Sequence, residues 1–172
     1  MTTIVRGARP PELEAYLERR RLSGADRFDE VWDGRYVVAP DPHSNHGGVQ
    51  LALAVVLLAA AHRLGLHATT TFNLGRPGDF RIPDAGLLTV PGVWHETAVL
   101  VVEVLSPDDM TFDKFDFYTA RGVQELLVVD WRDRSVRCFA LQEGQVESDR
   151  SEVLSMTTAE VVAAVEWPPL DD

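Results

Sequence analysis

The stretch AVLVVEVL, residues 98–105, decides the fold because it is apolar, rich in β-branched residues and free of Gly and Pro. Such a run is typical of a central strand that is covered on both faces of its sheet. Glu103 interrupts the run, and an ionised carboxylate buried there is costly unless a cation or several donors meet it. The stretch therefore predicts a buried sheet with a polar site inside it.

The rest of the chain indicates a mixed α/β protein in which helices and strands alternate. Asp33-Gly34 between two strand-like runs predicts a β-hairpin. Further elements are predicted as helices at residues 11–22, 44–64, 110–121 and 158–165, and as strands at residues 67–74 and 126–130. A further strand, centred on residues 82–88, is predicted within residues 80–90. The helix at 110–121 joins the strand of Glu103 to strand 126–130, which predicts that these two strands are parallel neighbours.

The predicted helix at 44–64 is the longest in the chain. Its apolar periodicity places one set of side chains on a common face, namely Leu51, Val55, Leu58 and His62. Gly65 follows the last periodic residue and is expected to end the helix.

Length and composition fit one soluble globular domain over residues 1–172, with a core at about 10–141 and an acidic segment at 142–172. Cys138 is the only cysteine, and the first residues lack the apolar stretch of a signal peptide. Both features favour the cytoplasm. The longest apolar run, residues 51–61, is shorter than the roughly 20 residues that span a bilayer, so we expect no membrane partner.

The net charge of −11 argues against a general nucleic-acid binder, which is usually basic. Residues 142–172 carry eight acidic residues and one basic residue, which leaves 19 acidic and 15 basic residues elsewhere. The main part of the chain can therefore still present a local positive strip. Arg19, Arg20 and Arg21 form the clearest cluster, although a solvated helix end explains them as well.

Three side chains along the chain have the chemistry of a phosphodiesterase. Asp84 and Glu103 lie on predicted strands, and Lys114 lies on the helix that follows Glu103. Mg²⁺ prefers oxygen ligands, so the two carboxylates and the backbone carbonyl of Val104 could hold the ion if the strands are adjacent. A lysine that reaches back to the strand could orient the attacking water or stabilise the anion.

Each of these residues also has a structural explanation when it is taken alone. Asp84 could bond the backbone at the end of its strand, Glu103 could pair with a buried cation, and Lys114 could be a surface helix residue. Their order and spacing in the sequence favour a common site.

The sequence resembles the PD-(D/E)XK nuclease superfamily and, more closely, the bacterial Uma-type family of proposed restriction endonucleases. The matching segments are EVWDG at 30–34, PDPHSNH at 40–46, FRIPD at 80–84, VVEVLSP at 101–107, KFDFY at 114–118, GVQE at 122–125 and VVD at 128–130. Each segment is weak by itself, but the ordered set covers roughly residues 10–140 and is specific.

The resemblance implies a restriction-endonuclease-like core, a mixed central sheet flanked by helices, with Asp84 and Glu103 as ligands of Mg²⁺ or Mn²⁺. It also implies one departure from the superfamily pattern. The lysine that usually stands two residues after the glutamate is replaced by Leu105, and Lys114 on the next helix would take its role.

Three further residues are predicted near this site. Glu30, before the hairpin turn, is a candidate to complete the metal shell, with an exposed hairpin residue as the alternative. His46, in the first turn of the long helix, is expected to support the site through hydrogen bonds, with a capping or packing role as the alternative. Tyr118 lies four residues after Lys114 on the same helical face and is expected to support the site by packing.

The sequence thus predicts a metal-dependent endonuclease that acts on DNA as a homodimer, with residues 126–131 as a candidate apolar dimer surface. Two other functions stay open. One is a catalytically silent nuclease-like module for binding or assembly, which the acidic chain and the displaced lysine favour. The other is a metal-dependent hydrolase of a small phosphorylated molecule.

Overall fold

The computed structural model describes residues 3–5, 10–40, 43–106 and 110–169. The helices in these residues are α1 (Pro11–Ser23), α2 (Ser44–Leu64), a 3₁₀ helix (Thr111–Lys114), α3 (Phe115–Ala120) and α4 (Thr158–Ala164). The strands are β1 (Thr3–Val5), β2 (Glu30–Trp32), β3 (Arg35–Val38), β4 (His67–Thr70), β5 (Asn73–Arg76), β6 (Asp79–Arg81), β7 (Ala85–Leu88), β8 (Trp94–His95), β9 (Leu100–Val104), β10 (Glu125–Asp130), β11 (Ser135–Ala140), β12 (Val146–Ser148), β13 (Arg150–Ser151) and β14 (Met156–Thr157). Residues 41–42 and 107 of the matching segments lie outside the described residues.

Two six-stranded sheets organise the protein, and both contain parallel and antiparallel pairs. The first sheet has the order β1-β3-β2-β6-β5-β8 and the second has the order β12-β11-β10-β9-β7-β4. In the second sheet β9 lies parallel to β10 and antiparallel to β7. The predicted mixed α/β architecture and the predicted parallel pair are therefore confirmed.

Two segments predicted as single strands are each divided between the sheets. The chain leaves the second sheet after β4 and enters the first at β5, and it returns between β6 and β7. Thr71 has a left-handed φ of 39° at the first crossing, and Pro83, which has no N–H to pair, lies at the second. The Thr71 N–H donates to the Asp84 carbonyl oxygen at 3.0 Å, so the two crossings lie side by side.

The helix α2 has the predicted bounds because both of its ends are capped. His43 Nδ1 accepts from the Asn45 N–H at 3.2 Å, and Gly65 adopts a left-handed φ of 68° after the last turn. The side chains that α2 packs against the second sheet are Val49, Leu53, Leu57, Ala60 and Ala61. The common face predicted from periodicity is the opposite one, and it is exposed at Leu51, Val55 and Leu58.

By length and composition alone, α2 would be able to cross a membrane, and no other helix in the described ranges would. Its most apolar 18-residue window has a mean hydropathy of 1.6, and 28% of that window is buried inside the protein.

The two faces of the second sheet form two apolar clusters. On one face Leu100, Val102 and Val104 of β9 pack with the buried residues of α2. On the other face Val101 packs with the α3 residues Phe115 and Tyr118. Because successive side chains of a strand point to opposite faces, Glu103 lies on the same face as Val101, toward α3.

The prediction of an apolar dimer surface at residues 126–131 is wrong for residues 126–129, which are buried. β10 lies between β9 and β11, so it is not an edge strand. Leu127 and Val129 are buried on the α2 face, while Leu126 and Val128 are buried on the α3 face. The apolar run therefore marks a central strand covered on both sides.

Candidate active site

Asp84 lies where the chain returns from the first sheet to the second. Its N–H donates to the Val102 carbonyl oxygen at 3.1 Å, which extends the antiparallel β7–β9 pairing and places Asp84 opposite Glu103. Asp84 Oδ2 accepts from the Val104 N–H at 2.7 Å. The two carboxylates predicted to act together therefore come from strands that are direct neighbours.

Two residues of α2 form hydrogen bonds with Asp84, one with its carboxylate and one with its backbone. His46 Nε2 lies 2.8 Å from Asp84 Oδ1, and Ser106 Oγ lies 3.3 Å from His46 Nδ1. Gln50 Nε2 donates to the Asp84 carbonyl oxygen. His46 was predicted near the site from the sequence and Gln50 was not, although Gln50 lies one turn later on the same helical face, which was an available signal.

Glu103 is 4% exposed and meets two donors on the α3 side of the sheet. Lys114 Nζ lies 3.1 Å from each Glu103 carboxylate oxygen, and the Tyr118 hydroxyl donates to Glu103 Oε1. Lys114 ends the 3₁₀ helix directly before α3, so its side chain extends back to β9. Tyr118 contributes a hydrogen bond in addition to the packing expected from the sequence.

Glu30 approaches the same lysine from the first sheet. Its Oε1 lies 3.1 Å from Lys114 Nζ and accepts from the Ile82 N–H at 2.7 Å, while its Oε2 accepts from Trp32 Nε1 at 2.6 Å. The side chain is buried, which differs from the exposed hairpin residue considered as an alternative. The Lys114 ammonium therefore bridges carboxylates that belong to different sheets.

Arg81 packs against two aromatic rings, and one of them, Trp32, also bonds Glu30. The Arg81 guanidinium lies 4.4 Å from the centre of the Trp32 ring and 4.1 Å from that of Phe117. Arg81 is buried and also donates to the Val31 carbonyl oxygen at 3.0 Å. Neither Trp32 nor Arg81 was predicted at the site from the sequence. Trp32 stands two residues after Glu30 and thus on the same strand face, which was the one available signal.

The pKa values in the site depend on burial and on the interactions of three carboxylates, Asp84, Glu103 and Glu30, with the Lys114 ammonium. Burial raises the pKa of Glu103 to about 8, and Asp84 and Glu30 add to this rise, while Lys114 opposes it. Burial lowers the pKa of Lys114, but the surrounding carboxylates outweigh that effect and raise it, so the lysine stays charged. The pKa of Tyr118 is raised by burial and by Glu103, which keeps its hydroxyl a donor.

The donor set of this site fits a hard divalent cation. Asp84 and Glu103 supply oxygens, and Mg²⁺ is commonly held by one or two carboxylates while it keeps several waters. Burial and the neighbouring Asp84 and Glu30 raise the pKa of Glu103, so a cation bound beside Glu103 would favour its ionised form. Within the described ranges, no three His, Cys, Asp or Glu side chains are arranged as a complete metal cage. Such a cage is not required for Mg²⁺.

A comparison with models of protein families matches residues 13–166 of the chain to Uma2, described as "Putative restriction endonuclease". The chain belongs to the Uma2 family. The match confirms the resemblance found in the sequence, and it extends beyond residue 140 into the acidic segment. The comparison with curated proteins gave no match.

A solved structure supports the fold of this Uma2 protein. The chain is similar to a crystal structure described as a putative nuclease belonging to DUF820 from Anabaena variabilis ATCC 29413. The TM-score is 0.65 at 13% sequence identity, and the match covers 79% of this chain and 90% of the other. At that identity the similarity shows a common fold.

Proposed function

We propose that this Uma2 protein is a divalent-metal-dependent endonuclease that hydrolyses phosphodiester bonds of DNA. The observation that carries the proposal is the convergence of Asp84 and Glu103 on neighbouring strands, with the Lys114 ammonium 3.1 Å from Glu103. We further propose that the protein is a single-domain homodimer that acts in the cytoplasm and away from membranes.

Asp84, Glu103 and the backbone carbonyl of Val104 would hold Mg²⁺ or Mn²⁺. When bound, the metal would stabilise negative charge on the phosphate and lower the pKa of a water. His46 would orient the Asp84 carboxylate, which it contacts through Oδ1, and Gln50 would hold the backbone of Asp84 by its bond to the carbonyl oxygen. Tyr118 would hold one Glu103 oxygen in place.

Lys114 would orient the attacking water and stabilise the anion in a site with little solvent. Glu30 was a candidate further ligand in the sequence, and both of its oxygens already accept hydrogen bonds from Ile82, Trp32 or Lys114. Its proposed role is therefore to hold the Lys114 ammonium at the site, because a fixed charge stabilises a transition state better than a mobile one.

The test is the nicking of supercoiled plasmid DNA by the purified chain with Mg²⁺ or Mn²⁺. We expect metal-dependent nicking by the wild type and a loss of at least about 100-fold for Asp84→Asn and for Glu103→Gln. Asp116→Asn is the matched control, because Asp116 is an exposed carboxylate on α3 that accepts from Gln145. Full activity in Glu103→Gln would overturn the site assignment.

A catalytically silent module is the second candidate, and one observation favours it. Both oxygens of Asp84 and of Glu103 already have partners within the protein. If the wild type neither nicks DNA nor binds Mn²⁺ in a calorimetric titration, the silent module is the better description. Mn²⁺ binding that Asp84→Asn removes, without cleavage of any DNA form, would instead point to a small phosphorylated substrate.

A further inference from the structure

We propose that the exposed face of α2 is the surface on which a second copy of this chain docks. The face is called here the outer seam, and it consists of Gly48, Leu51, Val55, Leu58 and His62. The inference rests on the homodimer of the proposed function and deepens it by naming the face that forms it. It replaces the β10 surface, which is buried.

Three large apolar side chains of the outer seam lie in solvent. Leu51 is 67% exposed, Val55 is 66% exposed and Leu58 is 46% exposed. Full burial of such a side chain contributes about 1.5–3 kcal/mol. The opposite face of α2 supplies the contacts to the second sheet, so the fold of one copy does not require these residues to be apolar.

The spacing of the outer seam is that of a helix that packs on another helix. Its residues follow one another at intervals of three, four, three and four, the repeat of a coiled-coil seam. A sheet or an irregular loop does not need this repeat, whereas a second helix needs it to receive side chains along its length. The occupant indicated by the spacing is therefore a helix.

Charge indicates that this helix is the α2 of a second copy. The chain has a net charge of −11, so two copies repel each other unless they meet through an uncharged patch. Residues 44–62 contain no Asp, Glu, Lys or Arg, and the outer seam can therefore meet itself without opposing like charges. A two-fold axis brings the same patch of each copy together, which suits a seam in which His62 is the one polar side chain.

Two glycines in α2, Gly47 and Gly48, leave room for another helix to approach closely. A Cβ at Gly47 or at Gly48 would meet nothing within 4 Å, so neither glycine is required by packing inside one copy. A glycine inside a helix costs about 0.5–1 kcal/mol relative to alanine. At Gly48, on the outer seam, the missing side chain lets a partner backbone come nearer.

The size of the outer seam sets the expected affinity. From Gly48 to His62 it spans about 21 Å at 1.5 Å per residue. A standard stable interface buries about 800 Å² per partner, more than a single seam of this length supplies without its flanks. We therefore expect a reversible dimer with a dissociation constant of about 1–100 µM.

The experiment is sedimentation velocity of the full chain over a concentration series from about 1 to about 200 µM, without DNA or metal. The wild type should shift from 19.1 kDa toward twice that mass as concentration rises. Val55→Glu should stay monomeric, with a dissociation constant raised at least about tenfold. Val93→Glu is the matched control, because Val93 is 74% exposed in a loop, and it should associate like the wild type.

A cross-linking measurement tests the geometry independently of affinity. Val55 is the middle residue of the outer seam, so it meets its own counterpart whether the two helices run parallel or antiparallel. Val55→Cys should form a disulfide-linked dimer on mild oxidation, and Val93→Cys should not. The native Cys138 does not interfere, since it is 1% exposed and burial raises its pKa to about 12.

Three results would overturn the inference. The first is a wild type that stays monomeric at the highest concentration, and the second is a Val55→Glu variant that associates like the wild type. The third is a monomer that binds vesicles of neutral phosphatidylcholine and loses this binding in Val55→Glu, which would assign the face to a membrane. None of these measurements uses DNA cleavage, so a failure here is distinct from a failure of the nuclease proposal.

Discussion

The position of Glu103 is explained by the donors around it. A carboxylate in the middle of a buried strand needs partners, and Lys114 and Tyr118 supply them from the segment that follows β9. Glu30 then balances the same ammonium from the first sheet. One lysine thus connects the two sheets at the point where the chain passes between them.

Trp32 is the residue whose change tests how Glu30 is held. Trp32→Phe keeps an aromatic ring beside Arg81 but removes the indole N–H that Glu30 Oε2 accepts. A hydrogen bond to a charged group is worth about 1.5–3 kcal/mol, so we expect kcat of plasmid nicking to fall about tenfold or more. KM should stay near that of the wild type, because Glu30 holds Lys114 and is not proposed to bind DNA.

Trp94→Phe is the control for this prediction. Trp94 is 41% exposed and packs against Phe80 edge to face, outside the Glu30–Lys114 contacts. The substitution Trp94→Phe should change neither kcat nor KM of plasmid nicking. A Trp32→Phe enzyme with unchanged kcat would show that the indole N–H does not matter for catalysis.

At the scale of elements, the close pairing of β7 with β9 brings the two carboxylates together. Gly86 lies in β7 two residues after Asp84 and directly opposite Val101 of β9. A Cβ at Gly86 would lie 2.7 Å from the Leu100 carbonyl oxygen and 2.8 Å from a Phe72 ring atom. This glycine is therefore required for the strands to approach as they do.

Gly86→Ala and Gly47→Ala should change stability in opposite directions. Crowding at Gly86 forces the backbone to shift, and we expect its substitution to lower the free energy of unfolding by about 1–3 kcal/mol. Gly47 is helical with open space around it, and alanine there should raise the free energy of unfolding by about 0.5–1 kcal/mol.

Urea unfolding followed by circular dichroism at one low protein concentration measures both changes. Equal effects of the two substitutions would contradict the packing argument for β7. A stabilised Gly86→Ala would mean that β7 and β9 can separate without cost.

At the scale of the whole molecule, the acidic chain gathers several of its carboxylates in the buried region between the sheets. Glu103 and Glu30 contact the Lys114 ammonium there, and Asp84 acts on it through space, while much of the remaining negative charge lies in residues 142–172. A bound cation should therefore stabilise the folded state, because only the folded chain brings these carboxylates together.

Thermal unfolding with Mg²⁺ or Mn²⁺ tests this linkage without any substrate. At a free metal concentration of about 100 times the dissociation constant, the folded state gains about 2.7 kcal/mol, so Tm should rise by several degrees above that in EDTA. Asp84→Asn should lose the shift, and Asp116→Asn should keep it. An equal shift in both variants would place the metal elsewhere on the acidic surface.

The sequence by itself determined much of this protein, since some signals are local. The caps and periodicity of α2, the buried run around Glu103 and the parallel β9–β10 pair follow from residues close together in the chain. The order of Asp84, Glu103 and Lys114 was likewise visible, because each stands at the end or in the middle of a clear element.

The tertiary structure alone decided which faces meet. It divides two predicted strands between the sheets, and it turns the face of α2 that carries Leu51 and Val55 outward. It also brings Trp32, Arg81 and Gln50 to the site. These outcomes depend on contacts between residues far apart in the chain. Local propensity and periodicity cannot predict these contacts, because an apolar stripe on a helix can pack equally well on a sheet of its own chain or on a second copy.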